Sequence, residues 1–323
     1  MSLYLRFAAC TTLLTGTLAC AAVAAQGYPS KPVRMLIPFA PGGGTDILAR
    51  MVAQRLSETL GQPVVADNRP AVDGLVASET LVRSAPDGYT LLLVSSSHAI
   101  NPAIGGKLPY DTLRDFAPIT QTASQQMFLV VHPSLPIKSV KELIDYAKAK
   151  PNSLNYGSSS NATALPMELF NSLAGIKTTH IPYKGSAPML NDLLGGQINL
   201  SIAAAVSALP HIKSGRLRNL AIGDSKRSTI LPDLPTIAEA GVPGYQAVIW
   251  SGLLAPAKTP RAIIDKLYQQ TARIVLAPEF KERLVQLGSD AVGSTPEQWS
   301  EFIKTEIEKW EKIAKIAGVK AGD

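Results

Sequence analysis

The chain has 323 residues, a formal charge of +6, 6% aromatic residues and two cysteines. Its basic residues are spread along the sequence and do not cluster with aromatic side chains, which argues against a nucleic-acid-binding surface. The length suffices for two domains of ordinary size, each stabilised by its own core.

The first 25 residues have the pattern of a secretory signal peptide. Arg6 precedes an apolar run from Phe7 to Val23, and small residues follow. The run is short for a membrane span, so we expect cleavage near Ala25 and a periplasmic location rather than a retained anchor. The segment Leu18-Ala19-Cys20 leaves a lipoprotein anchored at Cys20 as an alternative. Both cysteines lie in this segment, so the mature chain is expected to have no disulfide.

The first part of the mature sequence alternates strand and helix patterns. The predicted elements are a strand at Val33–Ile37, a helix at Asp46–Leu60, a strand at Val64–Asp67, a helix at Ala71–Ser84 and a strand at Tyr89–Val94. The continuous apolar run at Leu91–Val94 is typical of a strand buried on both faces of a parallel sheet.

The same alternation repeats after residue 125. Strands are predicted at Met127–Val131, Leu154–Gly157, Thr179–Pro182, Ile198–Ala203 and Arg218–Ile222, and helices at 139–150, 163–174, 187–194 and 207–214. The C-terminal part is helical, with helix starts at Pro260, at Pro278 and at the capping sequence Thr295–Gln298. Two strand–helix arrays without a flexible linker predict two α/β lobes with a cleft between them.

The segment Pro38–Asp46, between the first strand and helix, is the most informative one. Gly42–Gly44 leave backbone N–H groups free of side chains at a helix start, where the helix dipole is positive, so the loop suits an anion. It matches neither Gly-Lys-Ser/Thr nor G-x-G-x-x-G, which indicates a carboxylate rather than a nucleotide. The alternative is a tight turn with Thr45 as N-cap and no ligand.

Two further polar loops follow predicted strands, at Ser95–His98 and at Ser158–Asn161. Because ligands of open sheets lie at the carboxyl ends of strands, the three loops predict one cleft site, with His98 either a ligand donor or a residue that braces the loop. The four histidines are scattered without metal-ligand spacing, and no nucleophile elbow occurs. A nucleophilic Ser158 or Ser160 has no assignable base. We therefore expect a binding protein without metal or cofactor.

A series of short segments, in order along the chain, carries a resemblance to a known family. They are Tyr28–Pro32, Pro38–Asp46, Asn68–Pro70, Ala85–Thr90, Leu108–Asp111, His180–Gly185, Leu193–Gln197, Ala208–Lys213, Pro235–Gly241 and Gly293–Pro296. The chain resembles the solute-binding receptors of tripartite tricarboxylate transporters, the Bug-type periplasmic proteins. The resemblance implies an α/β, type II periplasmic-binding fold, in which two crossing strands join two lobes with a ligand cleft between them. It implies a signal peptide at 1–25, lobe 1 at 26–124, lobe 2 at 125–248, and a return to lobe 1 with C-terminal helices at 249–323.

The resemblance also implies which residues contact the ligand. The first lobe contributes Phe39, Gly43, Thr45, Asp46, Ser96, Ser97 and His98, and the second contributes Ser158, Ser160, Asn161 and Thr163. Ala203 and Ala204 stand where a polar pair is common in the family, which favours a ligand with an apolar or aromatic body over citrate. The run Ala71–Gly74 departs in another way, because it replaces a more glycine-rich segment.

The function implied by this resemblance is an extracytoplasmic receptor that closes its lobes around a small carboxylate. It would act as a monomer, without catalysis, and deliver the ligand to the large and small membrane subunits of a transporter. A ligand-sensing adaptor for a membrane sensor kinase would use the same fold and site, so the sequence leaves that alternative open. A periplasmic hydrolase is a third interpretation, and it requires an activated serine in the Ser158–Asn161 loop.

Overall fold

A computed structural model of the protein describes residues 27–105 and 107–319, and the predicted signal peptide lies outside them. The strands are β1 (Val33–Ile37), β2 (Val64–Asn68), β3 (Thr90–Ser95), β4 (Phe116–Gln125), β5 (Met127–Val131), β6 (Asn155–Ser158), β7 (Thr179–Pro182), β8 (Leu200–Ala204), β9 (Arg218–Ile222), β10 (Ile249–Pro256) and β11 (Ser289–Ala291).

The helices pack on these strands. They are α1 (Gly44–Leu60), α2 (Leu75–Val82), α3 (Ser97–Ala103), α4 (Val140–Ala149), α5 (Asn161–Ala174), α6 (Ser186–Leu194), α7 (Ala205–Lys213), α8 (Arg261–Val275), α9 (Pro278–Gln286) and α10 (Pro296–Ala317), with a 3₁₀ turn at Val72–Gly74. None of the helices within 27–105 and 107–319 has the length and apolar character that a membrane span needs.

Each of two sheets forms the centre of one lobe. The first lobe has six strands in the order β11-β4-β10-β3-β1-β2, and the second has five in the order β7-β6-β8-β5-β9. In the first sheet β1 runs parallel to β2 and β3, whereas β10 runs antiparallel to β3 and β4. In the second sheet β5 runs antiparallel to β8 and β9. Each sheet is therefore mixed, because one returning or crossing strand opposes its neighbours.

Two extended segments carry the chain between the lobes. The first is almost continuous, because Gln126 alone separates β4 of the first lobe from β5 of the second. The backbone of Gln126 donates a hydrogen bond to the carbonyl of Gly288 at 3.0 Å and accepts one from the Ala205 N–H at 2.9 Å. The return segment lies beside it, since the Gly223 N–H bonds the Met127 carbonyl at 2.7 Å. This arrangement confirms two lobes joined by two crossings.

Helix α10 packs against both lobes and forms part of their common core. The buried carboxylate of Glu306 accepts hydrogen bonds from the indole N–H groups of Trp250 in β10, at 2.8 Å, and of Trp310, at 2.9 Å. At the other end of α10, the Ser172 hydroxyl of α5 donates to the Ile316 carbonyl at 3.1 Å. The apolar side chains of α10 are therefore packing surface, and the helix connects the first lobe to the second.

Several elements differ from the sequence prediction, including α3 and β11, which were not predicted, and two of the differences bear on the cleft. The segment 116–125, for which no element was predicted, forms the ten-residue strand β4. Helix α2 begins at Leu75 instead of residue 71, because Asp73 and Gly74 adopt left-handed backbone angles with φ of 53° and 76°. A left-handed residue cannot continue a right-handed helix, so the helix starts only after this turn.

Candidate ligand-binding site

A small pocket lies between the two lobes. Its first-lobe wall and crossing strands contribute Phe39, Gly43, Gly44, Thr45, Ser95, Gln125 and Ile249, and its second-lobe wall contributes Ser159, Ser160, Ala162, Ser186 and Ala204. Five of these, namely Phe39, Gly43, Thr45, Ser160 and Ala204, are residues that the sequence placed at the ligand. The lining contains hydroxyl, amide and apolar side chains and no charged side chain.

Four helices begin at this cavity. Helix α1 begins at Gly44, α5 follows Ser160, α6 begins at Ser186, and α7 follows Ala204. The N-terminal turns of helices carry unpaired N–H groups and a partial positive charge. The caps of α1, α6 and α7 have no side-chain hydrogen bond to these groups. The walls therefore direct several positive helix ends at one space, which suits an anion without any cationic side chain.

The glycine loop of the first lobe is fixed by Asp46, whose carboxylate points away from the cavity. The carboxylate accepts hydrogen bonds from the Gly42 N–H at 2.9 Å, from the Asn68 amide at 2.8 Å and from Arg50 Nε at 3.0 Å. Asn68 also donates to the Phe39 carbonyl at 3.0 Å. Burial opposes ionisation, but the hydrogen bonds from Arg50, Gly42 and Asn68 outweigh it and lower the pKa of Asp46 below its usual value.

The two glycines that line the cavity lie against the second lobe. A Cβ atom added to Gly43 would be 3.5 Å from Ser186 Cβ, and one added to Gly44 would be 3.6 Å from Ala204 Cβ. Gly43 has a φ of −80°, which any residue can adopt, whereas Gly42 has a φ of +82°. Gly42 is thus needed for the turn, and Gly43 and Gly44 allow the second lobe to approach the bare backbone.

The side chains of Ser96, Ser97 and His98, which were predicted to contact the ligand, lie behind the cavity wall. Ser96 accepts a hydrogen bond from the Trp250 N–H at 3.0 Å, and Ser97 is buried at the start of α3. The imidazole of His98 packs edge-on against Phe116 at 4.8 Å between ring centroids, and burial lowers the pKa of His98 to about 4. These side chains brace the loop. Ser95, which the sequence analysis did not select, faces the cavity instead.

The second-lobe loop at Ser158–Asn161 also has some residues that line the cavity and others that lie behind it. Ser159 and Ser160 line the cavity, whereas Ser158 Oγ lies 2.6 Å from His180 Nε2 at the sheet edge. Thr163 Oγ1 accepts a hydrogen bond from the Ser159 N–H at 2.8 Å and so shapes the turn. The Asn161 N–H donates a hydrogen bond to Asp73 Oδ1 of the first lobe at 2.7 Å. Of the four residues predicted in this loop, Ser160 lines the cavity and Ser158, Asn161 and Thr163 do not.

The two predicted alanines, Ala203 and Ala204, point in opposite directions, because successive side chains of a strand lie on opposite faces. Ala204 lines the cavity, and Ala203 packs into the core of the second lobe with Phe128 and Ile222. Of the remaining lining residues, Gly44, Ser95 and Ser159 lie in the three predicted loops, whereas Gln125, Ala162, Ser186 and Ile249 were not predicted. Gln125, for example, comes from the strand that the sequence did not reveal, and its amide donates to Ser251 Oγ at 2.8 Å.

Two α/β lobes that enclose an anion-suited cavity between two crossings define a two-lobed solute-binding protein. The family model described as the tripartite tricarboxylate transporter family receptor matches residues 48–319, and the chain belongs to this family. It is 38% identical over 304 residues to protein BugT of Bordetella pertussis, covering 93% of each chain.

Solved structures show the same fold. An R. palustris protein with adipate has a TM-score of 0.89 and 38% identity, covering 91% of this chain and 99% of that one. The periplasmic binding protein BugD has a TM-score of 0.87 and 33% identity over 91% and 99% of the two chains. MatC from Rhodopseudomonas palustris with bound malate has a TM-score of 0.83 and 31% identity over 88% and 99%. The protein is therefore an extracytoplasmic solute-binding receptor and not an enzyme, which confirms these two expectations.

Proposed function

We propose that the protein captures a small carboxylate in the cavity between its lobes and passes it to a tripartite tricarboxylate-type membrane transporter. The convergence of four helix starts on a cavity without charged side chains carries this proposal. Solved relatives with adipate and with malate support it, because both ligands are carboxylates and both proteins share the fold.

In this proposal the carboxylate is held chiefly by the backbone of the first lobe. The N–H groups of Gly43, Gly44 and Thr45 lie at the start of α1, where the dipole favours negative charge. Hydroxyls of Ser95 and Ser186 complete its contacts from the two lobes. The other residues predicted at the ligand do not contact it but support the cavity walls from behind. They are Asp46, Ser96, Ser97, His98, Ser158, Asn161, Thr163 and Ala203.

The far end of the ligand meets a less polar wall. Ala162, Ala204 and Ile249 contribute methyl groups and no side-chain donors. A charged group left unpaired there costs about 1–3 kcal/mol or more, although backbone N–H groups offset part of this. We therefore propose that a carboxylate with an apolar or aromatic body binds better than citrate.

The biological setting is part of the same proposal. The signal peptide at 1–25 is removed, and the lobe boundaries fall at 124/125 and 248/249, next to the one-residue step between β4 and β5 and the start of β10. The receptor acts as a monomer that presents its closed form to the large and small membrane subunits. Loss of ligand uptake when those subunits are deleted separates transport from a sensing role, in which uptake would persist.

Binding calorimetry tests the proposal directly. The protein is unfolded and refolded to remove co-purified solute, and then titrated with adipate, malate, benzoate and citrate. The diamide of adipic acid serves as a neutral control of the same length. We expect at least one carboxylate to bind while the diamide does not, because the helix ends favour negative charge. Binding of the diamide as tightly as adipate, or binding of none of the acids, would refute a carboxylate site.

A further inference from the structure

Asp73 has an unusual backbone conformation at the edge of the cleft. It lies in the 3₁₀ turn before α2 with φ 53° and ψ 20°, a left-handed conformation that favours glycine. Asp73 and Asn152 are the non-glycine residues with positive φ within 27–105 and 107–319. A non-glycine backbone in this conformation is stabilised by its surroundings, so the contacts of Asp73 are informative.

The carboxylate of Asp73 bonds the opposite lobe. Its Oδ1 accepts a hydrogen bond of 2.7 Å from the backbone N–H of Asn161, the first residue of α5. The Asn161 side-chain amide donates to Asn101 Oδ1 at 3.1 Å, and the Asn101 amide donates back to the Asp73 carbonyl at 3.0 Å. Asp73 and Asn101 belong to the first lobe, so the three residues close a ring of hydrogen bonds across the gap.

The position of Asn161 connects this ring to the cavity. Asn161 lies between Ser160 and Ala162, and both of these residues line the cavity wall. A movement that draws this wall away from the first lobe therefore lengthens the bond between Asn161 and Asp73. The contact also places a carboxylate at the N-terminal end of a helix, where the dipole and the free N–H groups favour negative charge.

We propose that Asp73 is a latch for lobe closure: its carboxylate caps helix α5 of the second lobe and shifts the open–closed equilibrium toward the closed cleft. Asp73 is a positioning residue, since it does not line the cavity. The inference rests on the proposed function only in taking the closed cleft as the state that holds the ligand. A larger closed fraction before binding raises the apparent affinity, because less of the binding energy is needed for closure.

Three variants test the latch in the full chain without added ligand. Asp73→Gly removes the carboxylate and leaves a residue that adopts the left-handed angle without cost. Asp73→Asn keeps the shape and removes the charge. Asn152→Gly is the matched control, because it replaces the other positive-φ residue at an exposed loop away from the cleft.

The first measurement is hydrogen exchange at the glycine loop, residues 42–47, which faces the second lobe and makes no hydrogen bond to Asp73. Loss of a charge-assisted hydrogen bond is expected to lower the closed-to-open ratio about tenfold to hundredfold and to speed this exchange by the same factor in Asp73→Gly. Asp73→Asn should show a smaller increase, and Asn152→Gly should show none.

The second measurement is the radius of gyration by small-angle scattering, which should rise in Asp73→Gly as the open form becomes populated. Urea unfolding of Asp73→Gly should still show one cooperative transition with a fully folded baseline in water, which separates opening of the lobes from loss of the fold. Unchanged exchange at the glycine loop in folded Asp73→Gly would overturn the proposal. Because neither readout requires a ligand, this result is independent of whether a carboxylate binds.

Discussion

Replacing Asp46 with asparagine is expected to loosen the glycine loop and weaken ligand binding, although Asp46 does not line the cavity. The carboxylate is 3% exposed and accepts hydrogen bonds from Gly42, Asn68 and Arg50. Asparagine has the same shape but only one acceptor oxygen, and its NH₂ group is a donor. In any orientation, at least one of the three donors then faces another donor instead of an acceptor.

The magnitude follows from which donor loses its partner. If the Gly42 N–H loses its acceptor, the cost lies near the lower end of about 1–3 kcal/mol, because Gly42 is exposed and water can replace part of the bond. The lost charge attraction to Arg50 adds little, about 0–1 kcal/mol, because that guanidinium is half exposed. We therefore expect Asp46→Asn to lower the free energy of unfolding by roughly 1–2 kcal/mol. If the loop relaxes instead, the same energy appears as a loss of affinity, about tenfold for each 1.4 kcal/mol.

Urea unfolding and calorimetry with the tightest carboxylate of the panel measure the two outcomes together. The matched control is Asp265→Asn, because Asp265 pairs with Arg261 at the same four-residue spacing on an exposed helix face. That variant should change the free energy of unfolding by less than about 0.5 kcal/mol. If Asp46→Asn kept both the stability and the affinity of the parent, the carboxylate would not be what fixes the loop.

The other predictions concern Gly43 and Ala204, one in each wall of the cavity, and the pH dependence of stability. Gly43→Val should stay folded but lose more than tenfold in affinity, because its Cβ already lies 3.5 Å from Ser186 and its methyl groups extend about 1.5 Å further; unchanged affinity in calorimetry would place the site elsewhere. Ala204→Asn should shift the preference from benzoate toward citrate, and titration of both ligands into both proteins checks this. The lowered pKa of Asp46 predicts a stabilisation that is complete above the pKa of the unfolded chain and is lost as the pH falls through the native pKa. The difference between parent and Asp46→Asn in urea midpoint should therefore shrink in strongly acidic buffer, and a constant difference would contradict it.

The strands whose ends the sequence predicted best are those bounded on both sides by turn residues, whether or not the strand itself is continuously apolar. The observed bounds of β1, β5, β7 and β9 equal the predicted ones, because turn residues flank each strand. Strand β4 was not predicted, since Thr120, Thr122 and Gln125 are polar and yet almost fully buried. Thr120 donates to the carbonyl of Ser294, 174 residues away, at 2.7 Å. Partners so distant in sequence cannot be recognised from a local pattern.

The site shows the same limit at the level of single side chains. Each of the three polar loops predicted after buried strands contributes at least one residue to the cavity lining, whereas Ser186 and Ile249 were not predicted. The sequence did not establish which neighbour faces the cavity: Ser95 does so rather than Ser96, and Ala204 rather than Ala203. A shift of one residue reverses the direction of a side chain in a strand. Correct loop positions therefore still leave individual contacts undetermined.

The two lobes contribute different helix ends to the cavity, and this explains why its lining needs no cationic side chain. A helix end contributes about 0.3–1 kcal/mol to an anion, and up to about 2 kcal/mol when partly buried, so no single helix start binds tightly alone. The loop of the first lobe is already fixed by Asp46, whereas the starts of α5, α6 and α7 reach the ligand only when the second lobe closes. Three of the four helix starts therefore contribute to binding only after closure, and their contribution is lost on opening. A fixed arginine would hold the anion in both states, whereas this arrangement makes retention and release depend on one movement, as delivery to a transporter requires.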